Sequence, residues 1–471
     1  MNSEGLLRRD QDIERDSEGG GGAVPLPQEE RGLEGLLSRP VPLWSLALAL
    51  LLVPVAAIGT GAIVDGWEKS GAVGRVAIAL ARVPDTISGM FKSPAPYYGG
   101  KYEKLPGGFT RDAAFTDPGY ALISPFDVKR KRSVVQVMRL SDGAVVRELV
   151  PDVDAANAAS HFSSALVDVH RDKDAPRNRL MHPLLLADGS MVLHDSSPLG
   201  RYDACGKLLW SVDGIFTHST EQGPDGSLWV PFRYPVPREP GVKADFWDDS
   251  VAQVSPAGKL VKVDRVADIL ERNGLARLWR GRPYLQDPFH LNDIQPAMAD
   301  GQIWKKGDLF LSLRNLSLIA LYRPETGKIL WWKIGPWRFQ HDVSIIDDHR
   351  ISVFDNNTLM GYPGERVNGH NRLLVYDFAT GASSSPWDKG FAANHIATRA
   401  QGRGTPLPNG DAMVEETEQG RLVRMSPEGA VRWRYISADS AERRMALSWA
   451  RYLDPTTDGP AIQATVNAKC S

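Results

Sequence analysis

Cysteine is nearly absent from this chain of 471 residues, with Cys205 and Cys470 its only two. They form no CxxC pair and no Cys/His zinc spacing, which excludes zinc fingers and thioredoxin-like redox motifs. A charge excess of either sign is also lacking. Formal net charge is −2 and no long basic run occurs, so nucleic acid is not an expected partner. The GxxxxGK[ST] phosphate loop, the GxSxG elbow, the HExxH helix and the EF-hand loop are all missing. Two readings of the cysteines stay open: one disulfide in an oxidising compartment, or two unrelated thiols.

Long apolar runs are scarce too, and the single one lies near the start. Residues 1–40 are rich in Glu, Asp, Arg and Gly, including Gly19 to Gly22. Such a segment buries too little apolar surface to offset its ordering entropy, and reads as a disordered cytoplasmic tail. Pro40 to Val64 carries no charge, and Leu43–Val64 is long enough to cross roughly 30 Å of hydrocarbon. Residues 41–66 are therefore expected to be a single transmembrane helix, uncleaved, with a cleaved signal peptide as the rival. The arginines at 8, 9, 15, 31 and 39 point to a cytoplasmic N-terminus. This predicts a single-pass protein of the bacterial inner membrane with its large domain in the periplasm, or extracellular if there is no outer membrane. Residues 67–108 read as a juxtamembrane helix, Gly71 to Val83, and a linker.

Residues 109–471 have a different texture. Short β-branched and aromatic runs alternate with glycine turns, the pattern of antiparallel strands. One unit recurs as RLSDGAVVREL, YDACGKLLW, VSPAGKLVKV, YRPETGKILWW, YDFATGASSSPW and MSPEGAVRW. Its turn glycines are Gly143, Gly206, Gly258, Gly327, Gly381 and Gly429, spaced 63, 52, 69, 54 and 48 residues apart. Six units of about 50 residues predict an all-β fold, a six-bladed β-propeller. A second element interleaves with the first: a histidine, an apolar strand, a polar turn and another strand. Its copies start at His182, His218, His290, His341 and His395. They predict the starts of five inner strands, which would gather imidazoles at one mouth of the central channel. Structural satisfaction at blade corners is the plainer alternative for some of them.

Arg314 lies on the strand LFLSLRNLS, where an arginine is costly unless paired or functional. A salt bridge to a buried carboxylate is its plain reading. Imidazoles and a guanidinium around one cavity suit an anion with three oxygens. Three histidines could also hold zinc or copper, but the arginine would oppose a cation. No cofactor is implied.

The stretch from DPFHLNDIQ through LFLSLRNLS to QHDVSIIDDHRISVFDNN resembles the bacterial arylsulfate sulfotransferases, most specifically over Asp287 to Asn357. The resemblance implies a periplasmic six-bladed propeller that moves a sulfuryl group from an aryl sulfate to a phenol without a nucleotide. It implies His341, in its QH…FDN context, as the nucleophile that forms a sulfo-histidine. His290 matches the family's FHIN-type histidine, Arg314 its strand arginine, and His218 an earlier histidine. His290 or His218 would protonate the leaving oxygen, and Arg314 would hold the sulfuryl oxygens. Thr217 stands where the family often has a second histidine, and Asn315 where it often has another, two departures that bear on acceptor preference and on activity. Asp342 and Asp293 read either as imidazole orienters or as turn caps. Trp331, Trp332 and Trp337 read either as aryl-stacking or as core residues. The alternative function is a non-catalytic envelope propeller that binds an anionic ligand or a protein partner. A quinoprotein is disfavoured, because eight tryptophan repeats and a vicinal cysteine pair are both lacking.

Overall fold

The structure is a computed structural model. It describes residues 105–470 apart from 163, 165–166, 281–283, 361–364 and 440–442, together with Pro42, Trp44, Ser45, Leu48 and Leu52. The chain divides into two units, Met1–Lys92 and Ser93–Ser471. In the first, Trp44, Ser45, Leu48 and Leu52 are helical. The expected tail, most of the expected membrane span and the juxtamembrane helix lie outside the described residues. Among the described residues no helix is long and apolar enough to cross a membrane.

Among the described residues the second unit contains six antiparallel sheets of four or five strands in chain order, arranged as a six-bladed propeller, and two two-stranded hairpins. The fourth blade shows the plan: Leu291–Pro296, Leu309–Leu313, Leu318–Arg323 and Lys328–Ile334, from the channel outward. Its second strand, LFLSL, is buried along its whole length because neighbouring blades cover both faces. Leu309 and Leu311 join the third blade's apolar side chains, while Phe310 faces the fifth blade. The outermost strand, KILWWKI, alternates between exposed and half-buried positions. The period-2 rule therefore shows only at the rim, where one side meets water.

All six turn glycines of the repeat sit between the third and fourth strands of a blade, each with a positive φ. Gly258 shows a second constraint: a Cβ there would lie 2.6 Å from the Trp210 ring of the preceding blade. Tryptophan follows the turn because the outer strand packs between blades. Trp331 lies 4.8 Å from Phe378 and 5.2 Å from Tyr376, centroid to centroid, and Trp337 is buried in the same cluster. Both are core residues, and Trp332 is 38% exposed on the outer strand.

Six main apolar clusters hold the ring, one between each pair of successive blades. Leu122 and Val137 of the first blade meet Leu193 of the second, and Met413 and Leu422 of the sixth meet Ala121 and Met138 of the first. Closure uses both ends of the unit. Arg451–Leu453 forms the innermost strand of the first blade, pairing with Tyr120–Ile123. Gly108–Arg111 adds a fifth, outermost strand to the sixth, with Phe109 opposite Tyr435. The strand thus starts one residue inside the expected linker.

The cysteine question is resolved in favour of a bridge. Cys205, in the outer turn of the second blade, is disulfide-bonded to Cys470, 265 residues away. The bond ties the end of the chain, beyond the helix Gly459–Val466, to the ring. A cross-link over so long a loop restricts the unfolded chain. Replacing both cysteines by serine is expected to lower stability by about 2–4 kcal/mol in denaturant unfolding. An unchanged midpoint would mean that strand pairing alone secures closure.

Candidate active site

The inner strands begin in a backbone conformation that L-residues seldom adopt. His182, His218, His290 and His395 have φ between 50° and 54°, and in the fifth blade the residue after His341, Asp342, has φ 46°. The sixth position of this phase, ahead of Arg451–Leu453, is Trp449 with φ 64°. Left-handed non-glycine residues cost on the order of 1–3 kcal/mol each, and their recurrence at one phase marks a shared purpose. Register breaks follow at Leu291/Asp293 and His341/Val343. The resulting bulges turn the imidazoles onto the channel mouth.

Four of the five phased histidines meet there. Ring centroids of His218 and His290 are 4.8 Å apart, those of His218 and His341 6.1 Å, and those of His290 and His341 6.5 Å. One nitrogen from each of these three rings lies within 4.8 Å of the others. His182 adjoins His218 at 6.2 Å and packs on Trp449 at 4.5 Å. His395 is exposed and stands apart from the cluster. The expected five-membered ring is therefore four imidazoles, because the connection before the sixth blade passes through the helix Asp388–Ala393 and leaves His395 at the surface.

His341 is held at both ring nitrogens. Its Nδ1–H donates to Asn356 Oδ1 at 2.7 Å. The Asn356 amide cannot flip freely, since its Nδ2 donates to the carbonyls of Gln401 and Thr398. The tautomer is thereby set, and the lone pair lies on Nε2, which receives a 3.2 Å contact from the Gln401 N–H. The FDN sequence divides its labour. Phe354 enters the core, Asp355 accepts from the Arg338 and Asn357 amides, and Asn356 orients His341. Burial pushes the His341 imidazole well below its usual value, and the Arg314 cation pushes the same way.

His290 differs from its neighbours. Its Nδ1–H donates to Asp287 Oδ2 at 2.5 Å, which leaves Nε2 for proton exchange. Asp287 is the orienting carboxylate that the sequence reading missed; its only signal was the spacing Asp-x-x-His. The two candidates named instead, Asp293 and Asp342, tie blades together. Asp293 accepts from the Val343 N–H and Asp342 from the Gly404 N–H. Burial, followed by the Asp342 charge, pushes Asp293 up to about 8. His218 has no comparable carboxylate partner at Nδ1, which is buried without a hydrogen bond. Burial lowers its pKa well below the usual value, and the charges of His290 and His341 add to this.

Arg314 opens a short 3-10 turn directly after the strand Leu309–Leu313. Its backbone N–H donates to the His290 carbonyl, and its guanidinium lies 4.9 Å from the Phe339 ring. It pairs with Glu365 at 2.8 Å, a part-exposed carboxylate and not the buried one expected, and its charge acts on His341. Trp247, stacked under Arg233, lies 6.2 Å from His290 and also escaped the sequence reading, as did His194, which stacks on His182.

A family model described as Arylsulfotransferase (ASST) matches residues 182–438, more than half of the chain. The chain belongs to the arylsulfotransferase family. The matched segment starts at His182 and contains His218, His290, Arg314 and His341. Ribosomal protein uS12 methylthiotransferase RimO of two Legionella pneumophila strains, Lens and Philadelphia 1, is 30% identical over 131 residues. That match spans 27% of this chain and 28% of the relatives' length. Among solved structures, a protein of unknown function from Bacteroides caccae is similar at TM-score 0.43 and 12% identity, covering 72% of this chain and 99% of that one. TolB from Acinetobacter baumannii is similar at TM-score 0.41 and 13% identity, covering 71% and 66%. Superpositions this loose carry no argument about function.

Three imidazoles at this spacing could hold a divalent ion. Both His341 nitrogens are engaged, however, and the adjacent Arg314 cation opposes one, so the donor set suits an anion better. The tautomer assignment is testable. In Asn356→Asp a carboxylate faces Nδ1, and the His341 pKa is expected to rise by about one unit or more. The wild-type imidazole, far below its usual value, stays neutral as pH falls through the normal histidine range, whereas the variant protonates at higher pH. An NMR titration of the imidazole nitrogens reads this, and superimposable curves would refute the assignment.

Proposed function

We propose that this protein transfers a sulfuryl group from an aryl sulfate ester to a phenolic acceptor through a sulfo-histidine on His341. One observation carries the reading: a neutral imidazole with its lone pair on Nε2 stands beside two further imidazoles and a guanidinium. In the first half-reaction Nε2 attacks sulfur in line, the N–S bond forms, and the S–O(aryl) bond breaks. The electron pair leaves on the phenolic oxygen, whose pKa near ~10 makes it a poor leaving group without a proton. The proton comes from His290 Nε2, the ring with its other nitrogen fixed by Asp287. His218, neutral and without a carboxylate at Nδ1, fits better as a hydrogen-bonding wall.

Arg314 holds the sulfuryl oxygens, and Asn356 takes the Nδ1–H of a ring that gains positive charge as the N–S bond forms. The Gln401 N–H shifts from Nε2 to a sulfuryl oxygen. In the second half-reaction a phenol attacks sulfur, His290 takes its proton, and the N–S electron pair returns to Nε2. A cavity of about 400 Å³ near Arg314 offers room for the aryl body; Phe246, Leu278, Trp279 and Asn315 line it. Asn315, on its wall, accepts from Arg314 Nη1 and donates to the Asp287 carbonyl.

A periplasmic propeller is part of the proposal; the bridged cysteines, which suit an oxidising compartment, and the apolar run at 43–64, which suits a membrane anchor, support it. A non-catalytic anion-binding propeller remains the competing reading, favoured by the Gln401 N–H on the nucleophilic nitrogen.

Two variants separate the readings. His341→Ala is expected to abolish both phenol release from nitrophenyl sulfate and acid-labile sulfur label on the protein. Equal rates in wild type and variant would remove catalysis from this site. His290→Ala is expected to slow transfer by about 10²–10⁴-fold for phenols of high pKa. It should act far less on nitrophenol, which leaves without a proton. The same loss for both leaving groups would assign the proton to another residue.

A further inference from the structure

Arg314 is buried, yet its most useful edge is only half filled. Nη1 donates to Asn315 Oδ1 at 2.9 Å, and Nη2 donates to Glu365 Oε1 at 2.8 Å. Nε, which with Nη2 forms one side of the guanidinium fork, is buried without a partner. A carboxylate facing that side ordinarily takes both N–H groups at once. Glu365 takes one and leaves the other orphaned, which is unfavourable in a buried setting.

Glu365 stands where it can leave. Its side chain is 29% exposed, against 8% for Arg314. It precedes the short strand Arg366–Val367, which pairs with Thr358–Leu359 in a hairpin inserted between the second and third strands of the fifth blade. The hairpin starts beside Asn356, the residue that orients His341, and its base is closed by the Asn368 N–H on the Asn357 carbonyl.

We infer that Glu365 is a built-in competitor for the oxyanion, which a sulfuryl group displaces by taking Nε and Nη2 together. This rests on the proposed sulfuryl-transfer reading of the site. A singly bonded, part-exposed carboxylate is a weak partner, because solvent screens its charge and it leaves one N–H unfilled. A tetrahedral oxyanion presents two oxygens at once and satisfies the orphan Nε. An anion with one accessible acceptor gains no more than Glu365 already supplies. The carboxylate therefore selects sulfate-type ligands over halide, and it keeps the cation neutralised between turnovers. A residue that merely positioned Arg314 would have the opposite effect on removal, weakening anion binding.

Isothermal titration with inorganic sulfate reads the contact without turnover, using the full-length protein and its Glu365→Gln and Glu365→Ala variants. Both are expected to bind sulfate about fivefold tighter or more than wild type. KM for nitrophenyl sulfate should fall in proportion, and chloride should compete with sulfate better than it does in wild type. Unchanged or weaker sulfate binding in both variants, with thermal unfolding showing each folded, overturns the inference. Tighter sulfate binding in protein that never releases phenol would keep Glu365 as competitor and remove the transfer reading. Turnover in wild type with no sulfate shift in the variants would do the reverse.

Discussion

A buried carboxylate accepting the backbone N–H of the next blade is the bond on which this molecule depends. Asp249 accepts from Leu291, Asp293 from Val343, Asp342 from Gly404, and Glu415 from Trp449 and Ala450. Arg451 of the first blade completes the circuit, reaching the carbonyls of Pro183 and Thr220 and the carboxylate of Glu221. Each accepted amide lies at or close to the start of an inner strand, and an unpaired buried amide there would be costly.

The same bonds place the imidazoles. Leu291 follows His290, Val343 lies two residues after His341, and Trp449 packs on His182. A blade that slipped against its neighbour would move its imidazole by the same amount. The latches carry an electrostatic cost. Burial raises the pKa of Asp249, Asp342 and Glu415 as well as Asp293. Groups whose folded pKa lies above the unfolded value reduce stability as pH rises between the two. The buried cation Arg403 pairs with Asp342 and also acts on Glu415, and Arg451 acts on Asp342, which offsets part of that cost.

Closure and chemistry are likewise joined. The C-terminal strand that shuts the ring brings Trp449 to the sixth position of the histidine phase. The strain at these positions persists because neighbours on both sides over-determine each inner strand. Around His341 the result is a neutral, oriented ring rather than a charged one. Loss of water disfavours the imidazolium and the Arg314 charge adds to this, and together they outweigh what the Asn356 hydrogen bond restores.

Local features of the amino-acid sequence determined the blade. A glycine in a tight turn must have positive φ, and strands covered on both faces must be apolar, so six glycine turns at about 50-residue spacing specified six sheets. The histidine phase was legible for the same reason, whereas the FDN pattern served only as the family context of His341 and did not disclose that Asn356 orients it. Pairings made across the ring left no such trace. The disulfide of Cys205 with Cys470, the tryptophan in the sixth position and the Glu365–Arg314 contact were decided only by tertiary structure. Their partners come from different blades or insertions, and spacing along a chain carries no information about which faces closure will bring together.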